Sequence, residues 1–414
     1  MKKNNLHWQV LISMIFGCIV GFVFKSIPSN LVLDFLYQII TLCGVLFIRL
    51  LKMIMVPLIL TSIIIGVSSI KSGKKVGRLG VKTFLYYLST SLIAIIIGLS
   101  LSNIMQPGLG ATIVENTSFD PSEIQTSTST TDILIRMIPT NPIKALASGD
   151  MLGIIFFAIF FGFALNMIDS KKASSLKNGI DAIFQVIMKI TKIIIKLSPI
   201  GVFGLMTKVV YTSGFDIFVN LAKYMMTIAL GLSIHLFIVL PLIIIIFIKA
   251  NPLDHFRAIA SAMLTAFSTS SSNATLPVTI KCVRDNVKAS NEVTSFVLPM
   301  GATINMDGTA LYECAGVLFI SQVLGVDLSF NQQMIVVITA LLASIGAAGI
   351  PSAGLVMIFI VTSAVGLNDP QVGIIIGAML AIDRPLDMFR TMVNISSDSV
   401  GAAVIAKSEG EKLY

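Results

Sequence analysis

The sequence predicts an all-α polytopic membrane protein with eight transmembrane helices, two re-entrant helical hairpins and inverted repeats. Three observations predict it. Of 414 residues, 55% are hydrophobic and 12% are charged, roughly half the charged share of an ordinary soluble chain. Apolar runs of membrane length recur from end to end, and a helix needs about 20 such residues to cross a bilayer. Two later runs carry Ser, Gly and Pro at their centres, where a continuous helix in lipid must fail. Mean hydropathy is +0.91, which excludes disorder, a coiled coil and a secreted disulfide scaffold.

The first six spans fall at 8–24, 39–67, 84–105, 151–167, 180–210 and 218–248. Lys2 and Lys3 ahead of the first run imitate a signal peptide. The following Lys25-Ser-Ile-Pro28 lacks a small-x-small cleavage site, so a retained span is expected. Spans seven and eight, at 296–324 and 372–406, are long and apolar but carry acidic residues. The interrupted stretches are 254–284 and 331–366, with centres at Ser270–Pro277 and Ile345–Ser352. Irregular backbone survives at membrane depth only when buried in protein or lining a cavity. Each stretch therefore reads as a hairpin that enters and leaves on one side. Two broken segments of opposite direction suggest inverted repeats with the site where their tips meet.

The net charge of +8 does not indicate nucleic acid, because Lys and Arg cluster between the apolar runs. Lys71, Lys74, Lys75, Arg78 and Lys82 precede span three; Lys171, Lys172 and Lys177 follow span four. Lys249 and Arg257 follow span six; Lys281, Arg284 and Lys288 follow the first hairpin; Lys407 and Lys412 close the chain. All share one side under this topology, which the positive-inside rule makes cytoplasmic, with both termini inside the cell membrane. The loop at 107–139 is then external. Its Asn116-Thr-Ser is a formal glycosylation triplet of low specificity. The four cysteines show no metal-ligand spacing, and the three histidines are too dispersed for a metal cluster.

An ionisable side chain inside a span costs about 2.5–3.5 kcal/mol. Span eight has five: Asp383, Arg384, Asp387, Arg390 and Asp398. At helical spacing, Asp383, Asp387, Arg390, Thr391, Asn394 and Asp398 form one polar stripe. A structural ion-pair network is the plain alternative. The mixture of carboxylate, amide and guanidinium, and the two breakable hairpins, favour an ion and substrate pathway. Arg390 offers a planar fork for a carboxylate, and Asp387 suits an ammonium group. The tip residues Ser271, Ser272 and Asn273, with half-helix N–H groups, suit a second carboxylate. Asn305, Asp307, Asn394 and Asp398 are hard oxygen donors suited to Na+, completed by carbonyls from a loosened Gly301–Thr309 stretch. Pro385 is expected to kink the last span just before the site.

At these residues the chain resembles the glutamate transporter family, the dicarboxylate/amino acid:cation symporters. The resemblance rests on four motifs in order: Ser270–Pro277, Asn305-Met-Asp-Gly-Thr309, the Gly346–Gly354 tip, and Asp387-Met-Phe-Arg-Thr-Met-Val-Asn394 with Asp398. It implies a glutamate-transporter fold and a homotrimer embedded in membrane lipid. Residues 1–82 and 107–217 would form a fixed scaffold. Residues 83–106 and 218–414 would form a transport domain that moves as an elevator, gated by the second hairpin. Arg390 would bind a side-chain carboxylate, oriented by Asp383, and Asp387 the amino group. Thr391, Asn394, Ser270, Ser271, Ser272, Thr309 and the tip from Ile350 to Gly354 would complete the pocket. One sodium site would use Asn394, Asp398, Asn305 and the Gly301 carbonyl. A second would use Tyr87, Thr90, Ser91, Asn305 and Asp307. A third, mainly backbone, would use Thr303, Ser344, Ile345 and Ala347.

Dicarboxylate carriers of this family lack the amino-binding Asp, and neutral amino acid carriers lack the Arg. Both are present here, which points to sodium-coupled symport of aspartate or glutamate. Archaeal relatives carry glutamine at the position of Glu313; animal relatives carry a glutamate linked to proton co-transport and potassium counter-transport. Glu313 is therefore the candidate for proton coupling, and H+ and K+ join Na+ as candidate coupled ions. Asn273 departs from the small residue usual at the first tip, and the role of Arg384 is open. The rival readings are a carrier of cystine, a neutral amino acid or a dicarboxylate, and an anion channel. A membrane enzyme finds no zinc-ligand His pair and no nucleophile–base set in the sequence.

Overall fold

The computed structural model describes residues 6–28, 30–68, 74–111, 138–214, 217–346, 353–367 and 370–414. Fifteen helices are used below. They are α1 Leu6–Ser26, α2 Leu31–Ser68, α3 Lys74–Met105, α4 Pro142–Ser148, α5 Met151–Leu165, α6 Ser170–Lys196, α7 Ser198–Ser213 and α8 Ile217–Ile234. After these come α9 Pro252–Thr269, α10 Ser272–Asp285, α11 Asn291–Ile304, α12 Asp307–Val323, α13 Phe330–Gly346, α14 Ala353–Ala364 and α15 Pro370–Ser408. No strand occurs among the described residues.

Among the described residues, four helical stretches are long and apolar enough to cross a bilayer unaided: Trp8–Ser26, Leu31–Ser68, Arg78–Met105 and Phe218–Ile248. The expected fifth span is not one helix. It is the pair α6 and α7, bent by 52°, because Pro199 in the first turn of α7 has no N–H to continue the helix. Ahead of the fourth span the sequence reading missed α4. Asn141 caps it by accepting from the Ile143 and Lys144 N–H groups, and Gly149 closes it with φ 69°. The sixth span continues past α8 through two π-helical turns, His235–Val239 and Ile244–Ile248. They flank Pro241, whose missing N–H widens the hydrogen-bond ladder, so that the Leu240 N–H reaches back to the His235 carbonyl.

The two interrupted stretches behave as expected at their arms. α9 and α10 meet at Ser270, which takes a left-handed turn (φ 50°, ψ 38°). Ser271 then caps α10 by accepting from the Ala274 N–H. α13 and α14 are the arms of the second hairpin; its tip, with Ala347 and Ile350, lies outside the described residues. The seventh span breaks into α11 and α12 at Asn305 and Met306, whose backbones leave the helical region (φ −97°, ψ 90° and φ −121°, ψ 61°). α15, in contrast, runs unbroken through Pro385.

Packing separates a glycine-spaced periphery from a dense centre. Gly17 and Gly21 put α1 against α7: a Cβ on Gly21 would stand 2.6 Å from the Thr207 carbonyl oxygen. Gly204 brings α7 equally close to α2, where a Cβ would stand 2.4 Å from the Ile40 carbonyl oxygen. Small residues four apart let helix backbones touch where lipid supplies no hydrophobic drive. At the centre lies α12, with every residue from Asp307 to Ser321 buried. α3 packs along it, and α8, α13, α14 and α15 also contact it. At the chain's end Glu409 accepts from Lys82 at 2.7 Å and also pairs with Arg78. Lys82, then Arg78, hold its carboxyl below the usual range. This clasp is complete at neutral pH and is lost only as pH falls through that lowered value.

Gly204→Leu is expected to force α7 off α2 and to lower detergent-solubilised stability by about 1–3 kcal/mol, the usual cost of overpacking. Thermal unfolding followed by fluorescence would check it; an unchanged midpoint would contradict the close helix approach.

Candidate functional site

The polar stripe of α15 faces protein. Asp383, Asp387, Arg390, Thr391, Asn394 and Asp398 are all at most 5% exposed. A buried guanidinium must recover its lost hydration from fixed partners. Arg390 Nη2 donates to Asp383 Oδ1 at 3.0 Å and to Asp387 Oδ1 at 2.8 Å. Its Cζ stands 3.7 Å from the centre of the Tyr312 ring, a cation–π contact. Nε and Nη1 of Arg390 have no hydrogen-bond partner among the described residues. Two donors of a rigid fork are thus buried and unused, beside Thr309 and Gly354. A Cβ on Gly354 would lie 3.1 Å from Thr309 Cγ2 and 3.5 Å from Arg390 Cζ. The second hairpin therefore reaches the guanidinium.

Asn394 connects this cluster to a second one. Its Oδ1 accepts from the Gly308 N–H at 2.8 Å, and its Nδ2 donates to Thr309 Oγ1 at 3.2 Å. Beyond it, Asn305 Nδ2 donates to Asp398 Oδ1 at 2.9 Å and to Ser397 Oγ at 3.0 Å. Thr90 Oγ1 lies 3.4 Å from Asn305 Oδ1, and Ser91 Oγ donates to Asp307 Oδ1 at 2.6 Å. The helix break at Asn305 and Met306 is what allows this: it points Asn305 toward α15 and starts α12 with Asp307 buried. The Gly301–Thr309 stretch is thus loosened at Asn305 and Met306, while Gly301 itself lies within α11. A Cβ there would meet Asp398 Oδ1 at 2.5 Å and the Tyr87 hydroxyl at 2.6 Å. The glycine leaves room for those oxygens.

The remaining predicted residues divide. Ser270 and Ser272 are buried at the first tip, and Ser270 Oγ has no partner among the described residues. Asn273 is exposed there. Thr391 donates to the Asp387 carbonyl of its own helix. Ile345 joins Tyr87, Ser91 and Ile304 around a small cavity. Thr303 and Ser344 instead donate to carbonyls of their own helices, and Thr303 is exposed. Glu313 is fully buried, with neither carboxyl oxygen hydrogen-bonded among the described residues.

Sequence reasoning missed three participants. His235 Nε2 lies 3.0 Å from Asp307 Oδ2, with both side chains fully buried. A lone histidine in an apolar span was the available signal. Tyr312 under Arg390 and Ser397 beside Asn305 gave none, since aromatic and hydroxyl residues are common in helices.

A helical bundle with broken spans around buried, mutually neutralising charges is the construction of a membrane transporter, not of a soluble binding protein. Residues 6–408 match the sodium:dicarboxylate symporter family, and the chain belongs to that family. It is thus a multi-pass membrane protein. It is 34% identical to excitatory amino acid transporter 3 of Oryctolagus cuniculus, an alignment covering 100% of this chain and 87% of that protein. It is 32% identical to the proton/sodium-glutamate symport protein of Geobacillus stearothermophilus, over 99% of this chain and 96% of that one. An excitatory amino acid transporter of Caenorhabditis elegans is 34% identical, over 98% and 88%.

Gly301→Ala is expected to push Asp398 and Tyr87 out of place and to raise the sodium concentration for half-maximal transport by about tenfold, roughly 1.4 kcal/mol. A sodium titration of uptake in proteoliposomes would show it. An unaltered titration would remove the Gly301 cradle from the ion path.

Proposed function

We propose that the chain is a secondary active transporter that couples a sodium gradient to the movement of aspartate or glutamate. The observation that carries this is the buried Arg390 fork, whose Nη2 holds both Asp383 and Asp387 while Nε and Nη1 have no hydrogen-bond partner among the described residues. The free donors suit a side-chain carboxylate. Asp387 is the ligand for the amino group, and the first tip, with Ser270, Ser271 and Ser272, is the ligand for the main carboxylate, joined by Thr309, Thr391, Asn394 and the Ile350–Gly354 tip. The relatives' names support the substrate class: they are described as excitatory amino acid and glutamate transporters.

Sodium is cargo in this reading. Asn305, Asp307 and Asp398 leave two carboxylates in a buried setting that monovalent cations would neutralise. One ion would take Asn394, Asp398, Asn305 and the Gly301 carbonyl; another Tyr87, Thr90, Ser91, Asn305 and Asp307; a third the Thr303, Ser344, Ile345 and Ala347 region. Empty of cations, the site is anionic around α12; empty of substrate, Arg390 keeps unspent donors. Each cargo supplies what the other lacks, so a hairpin that closes only over a neutral site couples them. Glu313, buried and with no hydrogen bond among the described residues, is the candidate proton carrier, with potassium return as its companion. The Geobacillus relative's name includes proton coupling.

The scaffold would be 1–82 and 107–217, and the elevator domain 83–106 and 218–414. The glycine-spaced contacts among α1, α2 and α7, against the packing of α3, α8, α13, α14 and α15 around α12, support that division. A homotrimer with cytoplasmic termini completes the reading.

Replacing external sodium with choline is expected to abolish accumulation of labelled aspartate in proteoliposomes; undiminished uptake would sink sodium coupling. Arg390→Cys is expected to reduce acidic amino acid uptake by about a hundredfold, roughly 2.7 kcal/mol, while serine becomes an effective competitor. Retained aspartate transport in that variant would place the side-chain carboxylate elsewhere.

A further inference from the structure

Beyond α15 the chain turns back on the protein. Gly410 takes the left-handed conformation (φ 88°), the Glu411 N–H reaches the Ala406 carbonyl and the Gly410 N–H the Lys407 carbonyl, a glycine-closed helix end. Residues 409–414 then run across the base of the first hairpin. Glu409 pairs with Lys82 and Arg78 of α3. Glu411 Oε2 accepts from the Ser290 N–H at 2.7 Å, and Ser290 caps α11. A carboxylate suits that place, because a helix start carries partial positive charge.

Tyr414 joins the two arms of the hairpin. Its N–H donates to the Val287 carbonyl, just past α10, at 3.1 Å. Its hydroxyl is hydrogen-bonded to Nδ1 of His255, in the first turn of α9. His255 is fully buried, and its Nε2 lies 3.1 Å from Ser399 Oγ on α15. Ser399 Oγ spends its own proton on the Ser396 carbonyl. The ring proton therefore sits on Nε2, and Nδ1 accepts from the Tyr414 hydroxyl. Asn286 Nδ2, donating to the Ala258 carbonyl at 2.8 Å, is a second bridge between the arms. The transport reading gives neither His255 nor Tyr414 a task.

We propose that residues 409–414 are a strap that keeps α9 and α10 together and fixed to α11 and α15. The first hairpin is then a static wall of the pocket, and opening is left to the second. The strap rests on a few bonds at the protein surface, and Tyr414 is 44% exposed. Such segments come free at lower cost than the buried core. When this one does, α9 and α10 are able to part.

Cys282 is a native reporter of that parting. It is buried on α10 beside the Ala262 backbone of α9, whereas Cys314 lies fully buried in α12 and serves as the control. The detergent-solubilised full chain, without sodium or amino acid, is treated with N-ethylmaleimide, and modification of each cysteine is followed by peptide mass spectrometry. In Tyr414→Phe, and separately in Glu411→Gln, Cys282 is expected to react about fivefold faster than in the wild type, the weight of one hydrogen bond, roughly 1 kcal/mol. Cys314 is expected to keep its wild-type rate. A wild-type rate at Cys282 in Tyr414→Phe overturns the proposal, whatever Glu411→Gln does. A parallel rise at Cys314 overturns it too, since the whole bundle is then loosened. No cargo enters the measurement, so failure of the transport reading would leave its outcome standing.

Discussion

A guanidinium held inside a membrane protein is the constraint to which the rest of the structure answers. Arg390 cannot shed its charge, so its surroundings must supply carboxylates and a π face. Asp383, Asp387 and Tyr312 do so, and they in turn require α12 to run beside α15 with its whole central length buried. A helix so enclosed needs close neighbours, which α3, α8 and the hairpin arms provide. The charged centre and the dense packing are two descriptions of one requirement: water must be excluded for the electrostatics to be selective, and every excluded charge must find a partner.

Broken helices are the means by which that partnership is arranged. The gap at Asn305 and Met306 frees backbone and amide groups at membrane depth, where a continuous helix would bond them internally. The same gap turns Asn305 toward Asp398 and Ser397 and brings Asp307 to Ser91 and His235. Asn394 joins the two clusters through Gly308 and Thr309. A change at one cluster is therefore felt at the other through a short chain of hydrogen bonds, a physical basis for linking ion and substrate occupancy.

The periphery follows a different rule. There lipid competes with protein for apolar side chains, and contact comes from backbone proximity at Gly17, Gly21 and Gly204. The break between α6 and α7 belongs to this region, as does the short helix α4. Neither is visible in hydropathy, because a bend at Ser198-Pro199 changes direction without changing apolar content.

Hydrophobic run length, the charge stripe of α15 and the small-residue interruptions pointed to an all-helical membrane fold with broken segments and to the polar residues that the fold buries together, because each is a local property of the chain in a solvent that tolerates few exceptions. Two things required the folded arrangement. His235 meets Asp307 across the bundle, and Gly301 serves by the space it leaves for Asp398 and Tyr87. In each case the deciding partner is distant in sequence. Periodicity says which face of a helix is polar, but only the neighbouring helices determine which oxygen meets which nitrogen.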